Sequence, residues 1–296
     1  MRGTMAERQA SRESSNIVRR SFIMATWLGW KIESNWTDPF LFAVYSIIKP
    51  LAGAAIIVIM YSVVAKGNFD TPYFAYLYFG NAFYQYVGSV ITGVSWSIVD
   101  DREHYKTLKY LYVAPIRFPF YLLGRGVARI LAGTFAVVIT IAGGILFLHV
   151  PLDFAQVNWL LFAVAFILGM VALVYMGLVL AGITLMIAHH SDMVGDTVAS
   201  GMFLFSGAIF PLSYLPAVLR PIGYALPPTY WLELLRRALI GSSVEAFSSF
   251  PGFSNLELLG ILLGFTLLFG FFSNRIFRAC ERRAREKGLI DQVTNY

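Results

Sequence analysis

The chain has 296 residues, 57% of them hydrophobic and 14% charged, with a formal net charge of +6 and a mean hydropathy of +0.65. Soluble domains carry about 25% charged residues, so this composition excludes a freely soluble enzyme and a disordered chain, while a single cysteine excludes a disulfide scaffold. A polytopic membrane protein remains.

Residues 1–16, MRGTMAERQASRESSN, are polar and lack an apolar centre, so no cleaved secretory signal is expected. Ile17–Trp36 reads as an amphipathic helix lying in the membrane interface. Ile17, Phe22, Ile23, Trp27 and Trp30 recur at spacings near three and four, against polar Arg19, Arg20 and Lys31. It is either a plain anchor or a dock for a cytoplasmic partner. Beyond it, six stretches reach the roughly 20 apolar residues that a span requires: Phe40–Ala65, Pro72–Val99, Phe120–Val150, Val157–Ala188, Val194–Leu212 and Leu256–Phe277. None alternates with period two, so helices rather than barrel strands are expected.

Within the first stretch Lys49 precedes Pro50, about 15 Å deep by helical rise. It either snorkels or pairs structurally, or it lines a cavity. The second carries Tyr76, Phe79, Phe83 and Tyr86 on one helix face, deeper than an interfacial belt. Those rings either pack or form a smooth aromatic wall for an amphipathic substrate. After it, residues 100–116 form a cytoplasmic segment with a short amphipathic helix: Leu108, Leu111 and Tyr112 make the stripe, Glu103, Lys106 and Lys109 stay wet, and Pro115 ends it. It is loop filler or a knob for a soluble subunit. Arg125 and Arg129, one turn apart in the third stretch, anchor it at lipid headgroups or bind a lipid phosphate. The fourth is long enough to tilt.

Asp196, at the start of the fifth stretch, reads as a cap or ion-pair partner at the cytoplasmic boundary. Residues 211–253 are broken by Pro211, Pro216, Pro227 and Pro228 yet stay apolar, which suggests short re-entrant helices at an outer mouth. There Glu233 and Arg236, three apart, are close enough to pair. Gly260 and Gly264 form a close-packing motif in the sixth stretch. Cys280 reads as a free thiol, and the four histidines lack metal-ligand spacing, so no metal site is expected. Eighteen Lys and Arg residues fall in the N-terminal segment, at 102–129 and in the tail, against four on the opposite side, which predicts both termini in the cytoplasm. Without a groove-reading module, that charge signals topology and not nucleic-acid binding.

The run Phe205-Ser206-Gly207-Ala208-Ile209-Phe210-Pro211-Leu212, then Leu215-Pro216, Leu226-Pro227-Pro228-Thr229-Tyr230, Glu233-Leu234-Leu235-Arg236 and Leu239-Ile240-Gly241, resembles the C-terminal signature of ABC-2 type transporter permeases. Glu103, Thr107, Leu108, Leu111 and Pro115 resemble that family's coupling segment, with Lys106 where Gly is usual and Lys109 where an acid is usual. The resemblance covers roughly residues 20–280. It implies an all-α integral membrane protein, a six-transmembrane-helix bundle of the type-2 ABC exporter kind in the cell (inner) membrane. An N-terminal segment 1–39 would precede the membrane domain 40–277, and a basic tail 278–296 would follow it.

It further implies a homodimer or heterodimer with two cytosolic ATP-binding subunits, coupled through Glu103, Tyr105, Thr107, Leu108, Leu111 and Tyr112. The second and fifth spans would line the pathway, setting Phe203, Phe205 and Phe210 opposite the rings of the second. Pro211, Pro216, Pro227, Tyr230, Glu233 and Arg236 would belong to the outer gate. ATP and magnesium would sit on the partner, with no cofactor in this chain. Independently, none of the six lysines follows a glycine, so no phosphate-cradling P-loop exists here. The expected cargo is an amphipathic, drug-like or lipid-like molecule moved outward, with a lipid-linked polysaccharide as the alternative. A membrane-embedded enzyme or proton-coupled carrier would want acids in mid-span, which the third, fourth and sixth stretches lack.

Overall fold

The computed structural model describes residues 2–34, 39–65, 69, 71–187 and 191–290, with side chains from residue 16 onward apart from 39–46, 49, 64, 65, 242, 243 and 245. The Lys49 side chain therefore lies outside the described residues. All regular structure among the described residues is helical. Helix α1 (Arg2–Ser34) and α2 (Pro39–Ala65) come first. An unbroken rod follows: α3 (Pro72–Val87), a π-helical turn (Gly88–Thr92), α4 (Gly93–Val99) and a second π turn (Asp100–His104). Next are α5 (Leu108–Val113), α6 (Phe118–Leu148), α7 (Trp159–Met186) and α8 (Met193–Phe205). The chain closes with α9 (Arg220–Tyr224), α10 (Pro227–Ile240) and α11 (Asn255–Glu286).

Local chemistry sets the starts. The Thr71 side chain accepts from Phe74 N–H with Pro72 in the first turn, Asn158 accepts from Leu161 N–H, and Ser254 with Glu257 forms a reciprocal capping box. Each satisfies backbone donors that a helix start leaves open.

Three helices, α6, α7 and α11, are long and apolar enough to cross a membrane. Pro50–Val63 of α2 and all of α8 are apolar but shorter. Two of the remaining stretches differ from the sequence reading for physical reasons. The second is divided by its π turns, although the rod as a whole is about 50 Å long at helical rise. The fifth stops at Phe205 and not at Leu212, because Gly207 turns the chain with φ 72°. Its 13 residues span about 20 Å, short of a hydrocarbon core of about 30 Å.

The rod sits at the centre. Helix α7 packs along α4, α10 and α11, helix α10 also lies against α3, and α6 is held between α1, α2 and α3. Trp231 of α10 lies so close to Gly169 of α7 that an added Cβ would stand 2.0 Å from its ring.

One expectation about faces is corrected, and one seam appears that the sequence did not suggest. Helix α1 meets α6 largely through small residues, with Ser21, Ala25 and Gly29 buried and Trp30 stacked on Phe135, which leaves Ile17, Ile23 and Trp27, read as facing the membrane interface, exposed. A Cβ on Gly124 of α6 would meet Phe22 O at 2.5 Å, and one on Gly29 would meet Ala128 Cβ at 2.8 Å. Small residues four apart on both helices let the backbones approach this closely. Conversely, Gly260 and Gly264 have nothing within 4 Å of a Cβ and make no close contact among the described residues. Helix α11 also runs past the expected span to Glu286, with Arg282–Glu286 and Glu281–Arg285 pairs on its last turns.

Candidate functional site

Three groups of polar residues meet the rod, one at each end and one along its middle. The charged end comes first. Asp100, Asp101, Arg102 and Glu103 occupy one π turn and are all buried, and the turn reaches solvent at its last residue, His104. From α6, Arg125 places Nη2 3.4 Å from Asp100 Oδ2 and Nη1 3.8 Å from Asp101 Oδ1. Tyr121 donates to Asp101 Oδ2 at 2.9 Å. Arg129 pairs with Glu33 of α1 at 2.7 Å and reaches Asp100 at 3.7 Å.

The two arginines therefore do not face lipid headgroups, as the sequence suggested. They tie α1, the rod and α6 into one ionic network. Glu103 likewise departs from its expected wet position, since it lies buried and accepts from Arg102 Nε at 2.9 Å. Burial pushes the Asp101 carboxyl up to about 6, against the opposing pull of Arg125 and the Tyr121 hydroxyl.

Leaving that network, the chain turns at Lys106 with φ 54°, and Thr107 N–H donates to Asp101 O at 2.8 Å before α5 begins. Leu108 is buried while Leu111 and Tyr112 are half-buried, the stripe that the spacing predicts. The guanidinium of Arg285 lies over the Tyr112 ring, 4.4 Å from its centre, so α11 braces α5 from behind. Tyr105, Tyr110 and Val113 (86% exposed) stand free on the outer side.

At the proline-rich end, Glu233 pairs with Arg237 at 3.2 Å and not with Arg236. Four residues apart is one full helical turn, which brings those two side chains onto one line. Ser248 donates to the same carboxylate, and Tyr76 donates to its other oxygen at 3.2 Å. Arg236 instead donates from Nη2 to Gly207 O and Ala208 O at 2.9 Å each, with its guanidinium 3.9 Å from the centre of the Tyr76 ring. Gly80 makes room for it: a Cβ there would fall 1.6 Å from Nη2. Pro211 and Pro227 are buried, Tyr230 stacks on Phe250 at 4.6 Å, and Pro216 is exposed.

Along the rod's middle, Tyr76, Phe79, Phe83 and Tyr86 are almost wholly buried inside the chain. Phe83 and Tyr86 meet Trp231, and they also meet Phe162 and Phe166 of α7 respectively. The rings form the seam between α3, α7 and α10, and none of the four lines the cavity on the rod's other face. Phe203 packs on Tyr84 with ring centres 4.8 Å apart, while Phe205 and Phe210 are half-buried at and beyond the end of α8.

The opposite face of the rod borders a cavity of about 910 Å³. Asn81, Gln85, Ser89, Thr92 and Trp96 supply that wall. Trp30 and Glu33 of α1, Pro50 and Gly53 of α2, Arg129 and Phe135 of α6, and Asp196 and Ser200 of α8 supply the others. Gln85 donates to Thr140 and Ser89 to the Arg129 carbonyl. Asn81 Nδ2 and Thr92 Oγ1 are buried without a partner among the described residues.

The sequence reading passed over this wall in favour of the rings, although its signal is visible. Polar residues at 81, 85, 89 and 92 are spaced four, four and three apart in an apolar stretch, and so share one helix face. Among the described residues no cluster of His, Cys, Asp and Glu could hold a metal ion.

The family model for ABC-2 type transporters matches residues 20–240 of this chain. Among curated proteins none matches it.

Proposed function

Because the chain belongs to the ABC-2 type transporter family, and is thus a membrane-embedded permease component of an ABC transporter, we propose that it exports an amphipathic molecule with power from separate ATP-binding subunits. The observation that carries this reading is the rod itself. One continuous helix borders the 910 Å³ cavity along its middle and ends in the ionic network that holds α5. A push on the exposed α5 therefore reaches the cavity walls through rigid, paired elements and not through a loop.

In this reading α2, the rod, α6, α7, α8 with its following turn, and α11 make six crossings. The charged end and both termini face the cytoplasm, in accord with the Lys and Arg bias. Residues 211–253 form the outer mouth, supported by the fully buried α10, which lies beside three long helices. Tyr105, Tyr110 and Val113 present the dock for the ATP-binding subunit, and a second permease copy completes the pathway.

The test is co-expression of the chain with an ATP-binding subunit encoded beside it, followed by purification and an ATPase assay in lipid. The expected result is a stable complex whose hydrolysis rises with amphipathic cargo. Val113→Glu should release the ATPase while leaving the permease folded, because that side chain touches little of its own chain. Transport by the purified permease without any nucleotide-hydrolysing partner would sink the reading.

A further inference from the structure

We propose that the cavity along the rod is a binding site for an amphipathic cation that also carries a hydrogen-bond acceptor, with Asp196 as its counter-charge and Asn81 as its neutral donor. This rests on the permease reading above and narrows its substrate class.

Two independent observations carry it. The first is an unsatisfied donor. Asn81 is 94% buried, being 6% exposed, it lines the cavity, and its Nδ2 has no partner among the described residues. Leaving an amide donor unpaired inside a protein is costly, so such a group is retained where something else meets it. Thr92 Oγ1 is in the same condition three helical turns further along. Thr92 closes the π turn at Gly88–Thr92, a kind of insertion found frequently at functional sites.

The second observation is the balance of charge. Among the described residues, Glu33, Arg129 and Asp196 are the charged ones on the cavity wall. Arg129 is matched twice, by Glu33 at 2.7 Å and by Asp100 at 3.7 Å, so it offers no vacant positive charge to an anion. Asp196 is exposed in the first turn of α8 and has no ion pair among the described residues. The described part of the wall, which does not include the Lys49 side chain, therefore carries one negative charge more than its positive ones match.

Trp30 and Trp96 add aromatic surface to the same walls, the kind that favours a delocalised cation. The acid and the amide sit at opposite ends. Gly195, next to Asp196, approaches Thr92 so closely that its Cβ would stand 3.0 Å from Thr92 Cα, whereas Asn81 lies 11 residues back along the rod, about 16 Å by helical rise. The two side chains reach inward from those ends, so a molecule that carries its positive charge on one portion and its acceptor on another can meet both. A volume near 910 Å³ suits one such molecule, since small-ligand pockets run from about 300 to 1,000 Å³.

The test uses the full chain in maltoside micelles at pH 8 and two dyes of one shape, read by fluorescence anisotropy. Rhodamine 6G is a planar cation with an ethyl ester, and fluorescein ethyl ester is its anionic counterpart. Rhodamine 6G should bind saturably and the anion at least about tenfold more weakly, the scale of one charge contact.

Asp196→Asn should weaken rhodamine 6G about tenfold and, by removing the like charge, strengthen binding of the anion. Asn81→Leu should weaken both dyes, because both offer the same ester carbonyl. Asp196 is exposed, and the Asn81 Nδ2 has no partner among the described residues to lose, so both variants are expected to fold. Their gel-filtration profiles check this. Equal binding of the two dyes, an unchanged Asp196→Asn variant, or no saturable binding overturns the proposal. None of these measurements involves an ATPase, so they stand or fall apart from the exporter reading.

Discussion

Arg236 and Arg237 are adjacent in sequence and do different work, because one helical step of about 100° points them at different neighbours. Arg237 closes an ion pair with Glu233, while Arg236 lies flat on Tyr76 and holds two successive carbonyls where the chain turns after α8. Only a planar, forked cation stacks and bridges in this way. Arg236→Ala should leave both carbonyls unmet at about 1–3 kcal/mol each, seen as a lower unfolding temperature. Arg236→Lys should recover little of the loss.

Asp101 makes a second residue-scale prediction. Its carboxyl titrates near 6 in the fold against 3.8 ordinarily, so between those values the folded chain holds a proton that the unfolded chain has released. Stability therefore rises as pH falls through 6 and stops rising below about 3.8. Asp101→Asn should stabilise the protein at pH 7.5 by on the order of 2–3 kcal/mol and flatten that dependence in a thermal-shift series. An unchanged slope would show that another group sets it.

At the scale of elements, the seam between α1 and α6 is a contact of small residues. Gly124→Val should force α1 away, since its branched carbon starts 2.5 Å from a backbone oxygen. The Glu33–Arg129 pair should part with it. The expected readout is faster proteolysis within α1 together with a lower unfolding temperature. Gly260→Val, where a Cβ meets nothing, should change neither.

The same seam shows what sequence reveals about elements and what it hides. Hydropathy located α6, α7 and α11 because each holds an apolar run long enough to cross a membrane, and it located α5 from a three-residue stripe ended by Pro115. It gave α1 an apolar face for the membrane interface but not its seam with α6, because Ala25 and Gly29 carry no hydropathy signal of the close backbone approach. It extended α8 to Leu212 because Phe205–Leu212 remains apolar, while the break depends on the positive φ of one glycine. Partner choice was hidden too: Arg125 and Arg129 look like headgroup anchors when the acids that claim them lie 24 or more residues away.

For the molecule as a whole, the permease reading divides labour between two faces of one rod. Rings bind it to α7 and α10 on one face, and amides and hydroxyls border the cavity on the other. Family membership was legible from the order of motifs between 205 and 241. The cavity was not, since volume is a property of helices brought together and no single stretch of chain encodes it.

The wide turn at Gly88–Thr92 has a consequence for how this gene can change. A π turn holds one residue more than an α turn, so deleting a single codon there would leave an unbroken, regular helix. Both flanking segments would keep their faces, because the wide turn takes up its extra residue within a single revolution. A codon lost from the regular helix on either side would instead pivot everything beyond it by about 100° and swing the amide row toward the oily seam. The wide turn is thus a place where the rod can shed a residue without exchanging the lining of the chamber with its packing.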